Sequence, residues 1–66
     1  MRNELKQARL NKKLNQKQLA EKIGIGERMY RHIENGSRKG DIEIWLKLSE
    51  VLDVEVGKLY ASNNRN

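Results

Sequence analysis

The sequence predicts an all-α fold of five short helices in one domain of 66 residues. Three observations lead to it. Proline is absent, glycines stand where helical patterns stop, and the β-branched residues recur at helical spacing without a period-two alternation. With 36% hydrophobic and 35% charged residues, composition alone would also suit a disordered chain. The apolar residues decide against that, because their placement is periodic nearly throughout.

The first helix is expected from Asn3, as its N-cap, to about Lys12, with Leu5 and Ala8 three apart on the inner face. Asn15 begins the second. Gln18, three residues on, makes a near match to a capping box, and Leu19, Ala20 and Ile23 form the inward stripe. Gly24 ends this helix as a residue that tolerates positive φ. Only Ile25 and Gly26 separate it from the third helix, Glu27 to Asn35, in which Tyr30 and Ile33 face inward and Gly36 is the stop. Residues 37–40 read as a basic, flexible loop. Asp41 caps or begins the fourth helix, whose Ile44, Trp45, Leu48, Val51 and Leu52 form a wide apolar stripe. Asp53 and Val54 break it. A short fifth helix covers about Val56 to Tyr60, and the polar tail 61–66 is expected to fray. No repeat or linker divides the chain, so residues 1–66 form a single domain.

Composition narrows the function. Cysteine is absent and there is one histidine, which excludes a disulfide scaffold and the usual structural zinc site. No apolar run exceeds three residues, so neither a transmembrane helix nor a signal peptide is predicted, and a cytoplasmic location is expected. No nucleophile–base pair or carboxylate pair stands out. The chain therefore reads as a binding module with no catalytic residues, cofactor, metal or small-molecule ligand. Its formal charge is +5, distributed unevenly: +7 over residues 1–40 and −2 over residues 41–66. In one globule, that asymmetry gives one face suited to phosphates and another that is not.

The segment from Gln16 to Asn35 carries the functional signal. Two helices joined by a three-residue turn need a small residue at the crossing, supplied by Ala20, and a left-handed turn residue, supplied by Gly24. Leu19, Ile23, Ile25, Tyr30 and Ile33 fill the space between them. This is the layout of a helix-turn-helix, whose second helix lies in the major groove of DNA.

The sequence resembles the Cro/repressor (Xre-type) helix-turn-helix regulators over about residues 3–60. The resemblance is carried by Leu14-Asn15-Gln16, Leu19-Ala20, Lys22-Ile23-Gly24, Ile33-Glu34-Asn35-Gly36, and Leu48 with Leu52-Asp53-Val54. It implies a compact five-helix, lambda-repressor-like DNA-binding fold. Gln16 resembles the family glutamine that hydrogen-bonds a DNA phosphate at a helix N-terminus. Asn35, with Arg38 and Lys39, resembles a second phosphate clamp. Glu27, Arg28, Met29 and His32 occupy positions where members place base-reading side chains. Arg9 and Glu34 match a partly buried ion pair that ties the first helix to the third. Four positions depart from the pattern: Gly26 where Ser or Thr usually caps, Glu27 where a neutral residue is commoner, Tyr30 in an aliphatic site, and Gly40 in place of a frequent proline, which loosens the loop.

Alternative roles remain open for several residues. Arg28 suits the O6/N7 edge of guanine, against a phosphate contact or a solvated charge. Glu27 either accepts from cytosine N4 or favours the helix N-terminus. His32, one turn beyond Arg28, contacts base or phosphate, and Arg31 beside them contacts phosphate or solvent. Lys17, with Lys12 and Lys13, either steers DNA or forms a solvated face. Leu10 is either partly covered or a partner contact. Trp45 is core or the rim of a dimer interface.

Trp45, Val56, Leu59 and Tyr60 are apolar beyond what the helix-turn-helix requires, and they lie in the negatively charged part of the chain. With the resemblance, they point to a homodimer formed through residues 41–60. A chain below roughly 70–80 residues draws only about 3–5 kcal/mol from its core, which also favours self-association. The expected function is sequence-specific binding of an operator in double-stranded DNA by a small regulator, a repressor. The alternatives are a protein-interaction module, such as an antitoxin or accessory subunit, and the DNA-binding fragment of a longer repressor.

Overall fold

Capping chemistry sets most of the helix boundaries in this chain. The computed structural model describes residues 3–61, with side chains described as far as Leu59. The helices are α1 (Asn3–Asn11), α2 (Gln16–Ile23), α3 (Glu27–Asn35), α4 (Ile42–Leu52) and α5 (Val56–Ala61). α1 stops one residue short of the expected end. The chain turns there through Lys13 at φ 59°, and the Leu14 N–H returns to the Arg9 carbonyl at 3.3 Å. A left-handed lysine costs roughly 1–2 kcal/mol, which the closed turn offsets.

At the start of α2 the Asn15 side chain accepts from the Gln18 N–H at 2.7 Å, and the Gln18 side chain accepts from the Asn15 N–H at 2.9 Å. The capping box is thus complete, and two otherwise unpartnered donors are satisfied. At its other end Gly24 takes φ +81°, and the Ile25 N–H bonds the Ala20 carbonyl at 3.0 Å. Any side chain at Gly24 would strain this turn, and the turn sets the angle at which α3 leaves α2. α3 begins at Gly26 without a side-chain cap, whereas Asp41 caps α4 by accepting from the Ile44 N–H at 3.1 Å.

The core is drawn from all five helices: Leu5 and Ala8, Leu19, Ala20 and Ile23, Tyr30 and Ile33, Ile44, Trp45, Leu48 and Leu52, and Leu59. Ala20, being small, lets α2 lie close against its neighbours, and α2 packs on both α3 and α4. α1 closes the other side against α3 and α5.

Two sequence expectations are corrected here. Trp45 and Leu59 are each only 1% exposed within the single chain, so both are core residues, and Trp45 meets the surface only as a wall of a cleft. Val56 is half-buried at the edge of that core, and the Tyr60 side chain lies outside the described residues. Among the described residues the large apolar side chains left exposed are Leu10, Ile42 and Leu46, the last two one turn apart on α4. Ile42 borders a cleft of about 300 Å³ with Gly40, Trp45, Val56 and Gly57. The second correction concerns the loop after α3, which is fastened rather than loose. The Asn35 side chain accepts from the Ser37 N–H and hydroxyl at 3.1 and 2.8 Å, and the Arg38 N–H bonds the His32 carbonyl. The Trp45 Nε1–H bonds the Lys39 carbonyl at 2.6 Å. Gly40 takes φ +72°, which proline cannot adopt, and packs so closely that a Cβ would meet Ile33 Cδ1 at 3.2 Å.

Candidate nucleic-acid interface

A nine-residue helix can bury one face and present another, and α3 divides cleanly. Tyr30, Ile33 and Glu34 point into the domain, while Arg28, Arg31, His32 and Asn35 are exposed. Glu27 is half-buried at the N-terminal edge of the exposed face. Positions 27 and 31, and 28 and 32, are one turn apart, so four polar side chains share the outward surface. Met29 differs from the other three expected base-reading residues, because it packs partly against the core.

Arg31 is not a free cation. Its Nη2 lies 2.9 Å from Glu27 Oε2, an i,i+4 pair across the outer face of α3. Sequence reasoning treated the two residues separately, although their spacing was a sufficient signal.

Beneath this face lies a buried polar network centred on Glu34. Arg9 Nε donates to Glu34 Oε2 at 2.8 Å and its second guanidinium nitrogen to Oε1 at 3.3 Å. The Tyr30 hydroxyl donates to Oε2 at 2.7 Å, and the Gln16 amide nitrogen donates to Oε1 at 2.8 Å. Arg9 also donates to the Leu14 carbonyl at 2.9 Å. Burial alone would raise the Glu34 pKa. The hydrogen bonds from Arg9, Tyr30 and Gln16, together with the charge of Arg9, outweigh it and hold the carboxyl below its ordinary range. The bond to Glu34 and its charge raise the Arg9 pKa against the opposing effect of burial. Burial, reinforced by the bond to Glu34, pushes the Tyr30 phenol far above its usual value. Tyr30 thus turns an aliphatic site into a fourth member of the network, a role that its i,i+4 spacing from Glu34 allows.

Gln16 connects this network to the surface. It is half-buried in the first turn of α2, with its amide nitrogen committed to Glu34 and one amide hydrogen left over. Lys17 beside it is exposed, as are Asn35, Arg38 and Lys39 around the fastened loop. Asn35 uses its side-chain oxygen on Ser37, which leaves the amide hydrogens as its available donors. The α2 N-terminus, the outer face of α3 and the basic loop all belong to the part of the chain that carries +7. Among the described residues no group of histidine, cysteine, aspartate or glutamate is placed to hold a metal, and no helix is long and apolar enough to cross a membrane.

Five helices in this order, with α2 and α3 joined through a left-handed glycine, define a helix-turn-helix domain. The chain belongs to the helix-turn-helix family of the Cro/C1 type, whose family model matches residues 5–59. It is also 40% identical over 55 residues to an uncharacterized HTH-type transcriptional regulator, YqaE, of Bacillus subtilis (strain 168). That match covers 83% of this chain and 47% of the relative, so the chain spans about half the relative's length. No solved structure gives a match.

Proposed function

We propose that this domain binds an operator in double-stranded DNA as a transcriptional repressor, with α3 in the major groove and two copies acting on an inverted repeat. The observation that carries the reading is the outward face of α3, which groups Arg28, Arg31 and His32 between two phosphate-suited elements. One is the α2 N-terminus with Gln16 and Lys17, and the other is the loop with Asn35, Arg38 and Lys39. The likeness to a Bacillus HTH-type transcriptional regulator supports a role in transcription regulation. Arg28 is exposed and is the natural partner for guanine, since a guanidinium bonds O6 and N7 together. Replacing Arg28 by alanine is expected to cost about 1–3 kcal/mol on the best site and to relax preference at one base pair. Selection from a random DNA pool measures this. An unchanged motif would reassign Arg28 to a phosphate.

For the second copy, Ile42, Leu46 and Val56 replace the buried Trp45 and Leu59 as the contact surface. They are apolar groups with accessible surface in the acidic part of the chain, residues 41–66. Two recognition helices related by a two-fold axis would enter successive major grooves about 34–36 Å apart, roughly 10–10.5 base pairs between half-site centres. Sedimentation of the protein with a selected operator is expected to give two chains per duplex. Exchanging both Ile42 and Leu46 for serine should reduce this to one without unfolding the domain. One chain per operator in the unaltered protein, or a motif without inverted symmetry, overturns the arrangement.

A further inference from the structure

We propose that Glu27 and Arg31 form a single specificity unit, in which Arg31 positions the Glu27 carboxylate to accept from the exocyclic amino group of cytosine or adenine. The inference rests on the reading of α3 as the helix that enters the major groove, and it adds what that helix rejects.

A carboxylate on a DNA-facing surface is repelled by phosphates, so Glu27 weakens binding unless something is gained in return. Its position in the first turn of α3 is favoured by the helix dipole, which accounts for an acid there without any need for Arg31. The ion pair adds two things. It neutralises the carboxylate as seen from a distance, and it fixes the rotamer by holding Oε2 at 2.9 Å from Arg31 Nη2. Oε1 is then left as the uncommitted acceptor: among the described residues nothing donates to it. Glu27 retains 37% of its side-chain exposure, so that oxygen can be reached.

An ionised carboxylate is an acceptor only. In the major groove the donors are cytosine N4 and adenine N6, while guanine and thymine present O6, N7 and O4 as acceptors. A fixed carboxylate oxygen therefore bonds an amino-bearing base and is repelled by guanine or thymine at the same height. The neighbours on this face, Arg28 and His32, bear donors, so Glu27 supplies the opposite polarity within one turn. The rejection is as useful as the attraction, because discrimination is a difference between right and wrong partners. Stability does not account for the pair, since exposed i,i+4 ion pairs contribute little.

Arg31 is thus a positioning residue, and its effect should appear in base preference rather than in general affinity. The test uses the full chain, an operator selected from a random pool, and three single-base-pair variants at each position of that operator. Wild type is expected to prefer cytosine or adenine at one position of the half-site by roughly 5- to 150-fold. Glu27→Gln should bind unrelated DNA more tightly while losing that preference. Arg31→Met, which keeps the apolar stem but not the donors, should flatten the preference at the same base pair. The double variant should be no less selective there than either single one, because the two residues act together. Melting temperatures should be nearly unchanged for all three. Arg31→Met lowering affinity equally for every sequence, with base preferences intact, would make Arg31 a phosphate contact and overturn the proposal. Glu27→Gln leaving every position unchanged would overturn it as well. A wild-type protein that selects no motif would overturn the DNA reading itself, and that outcome is distinct from a selected motif that both variants retain.

Discussion

Alanine at Glu34 is expected to lower the melting temperature steeply, because this buried carboxylate is the shared acceptor of Arg9, Tyr30 and Gln16. The Arg9 and Glu34 side chains are 9% and 3% exposed, so removing the carboxylate strands a guanidinium in the interior. Breaking a buried pair in this way costs about 3–5 kcal/mol. Such a loss matches the roughly 3–5 kcal/mol that one core of this size supplies, and each kcal/mol corresponds to about 4–8 °C in Tm. Tyr30 and Gln16 lose their acceptor at the same time. Replacing Arg9 and Glu34 together by apolar residues of similar volume should restore much of the stability. Because the Glu34 pKa is depressed on folding, its contribution is present above the unfolded carboxyl pKa near 4.3 and is lost as pH falls through the folded value. Tyr30 acts at the other limit. Its raised pKa stabilises the fold below the unfolded phenol value near 10, and that contribution declines as pH rises beyond it. Thermal melts across pH, followed by circular dichroism, check both limbs. An unchanged Tm in Glu34→Ala would show that the network contributes nothing to stability.

Affinity for a selected operator is expected to fall by about 10³–10⁵ between roughly 50 and 200 mM salt, for a dimer that makes about 6–10 phosphate contacts. Gln16, Lys17, Asn35, Arg38 and Lys39 supply the proposed contacts on each copy, within a segment whose net charge is +7. The steepness comes from counterions released when phosphates are neutralised, so it should diminish by about one unit of slope for each cation removed. Arg38→Ala should therefore weaken cognate and random duplexes alike and flatten the salt dependence, whereas Gln16→Ala should weaken both without altering the slope. Fluorescence anisotropy over a salt series gives both quantities. Affinity that barely changes over this range would rule out phosphate-dominated binding.

The parts of this architecture that were legible in the sequence are those encoded locally. Asn15 and Gln18 lie three residues apart and cap one helix, and Gly24 follows the last inward residue of α2, so both boundaries could be read directly. Arg9 and Glu34 are separated by 25 residues, and only the family resemblance suggested that they meet. Gln16 shows the limit of that approach. Resemblance assigned it to a phosphate, yet its amide nitrogen is bonded to a carboxylate 18 residues away, a contact that no local pattern encodes. α4 shows a different limit. Ile44, Trp45, Leu48 and Leu52 were readable as the inward stripe, but Ile42 and Leu46 make the first two turns apolar nearly all round, so periodicity did not show that Trp45 is buried within one chain rather than at an interface. Packing against α2 and α5 decided it, burying Trp45 and leaving Ile42 and Leu46 outside. The loop seemed free because Ser, Arg, Lys and Gly favour solvent; what fastens it is an indole that follows six residues after Lys39.

That indole is the sole tryptophan in the chain, and its N–H bonds a carbonyl of the loop that carries Arg38 and Lys39. Indole emission depends on what its N–H is bonded to and on how much water surrounds the ring. Trp45 is therefore an intrinsic optical probe sited between the loop and the cleft beside Ile42 and Val56. A ligand on the loop acts on its hydrogen bond, and an occupant of the cleft acts on its ring. Changes in emission colour can thus follow either event in the unlabelled protein, and an exchange at Ile42, which borders the cleft, identifies the part of the signal that comes from that side.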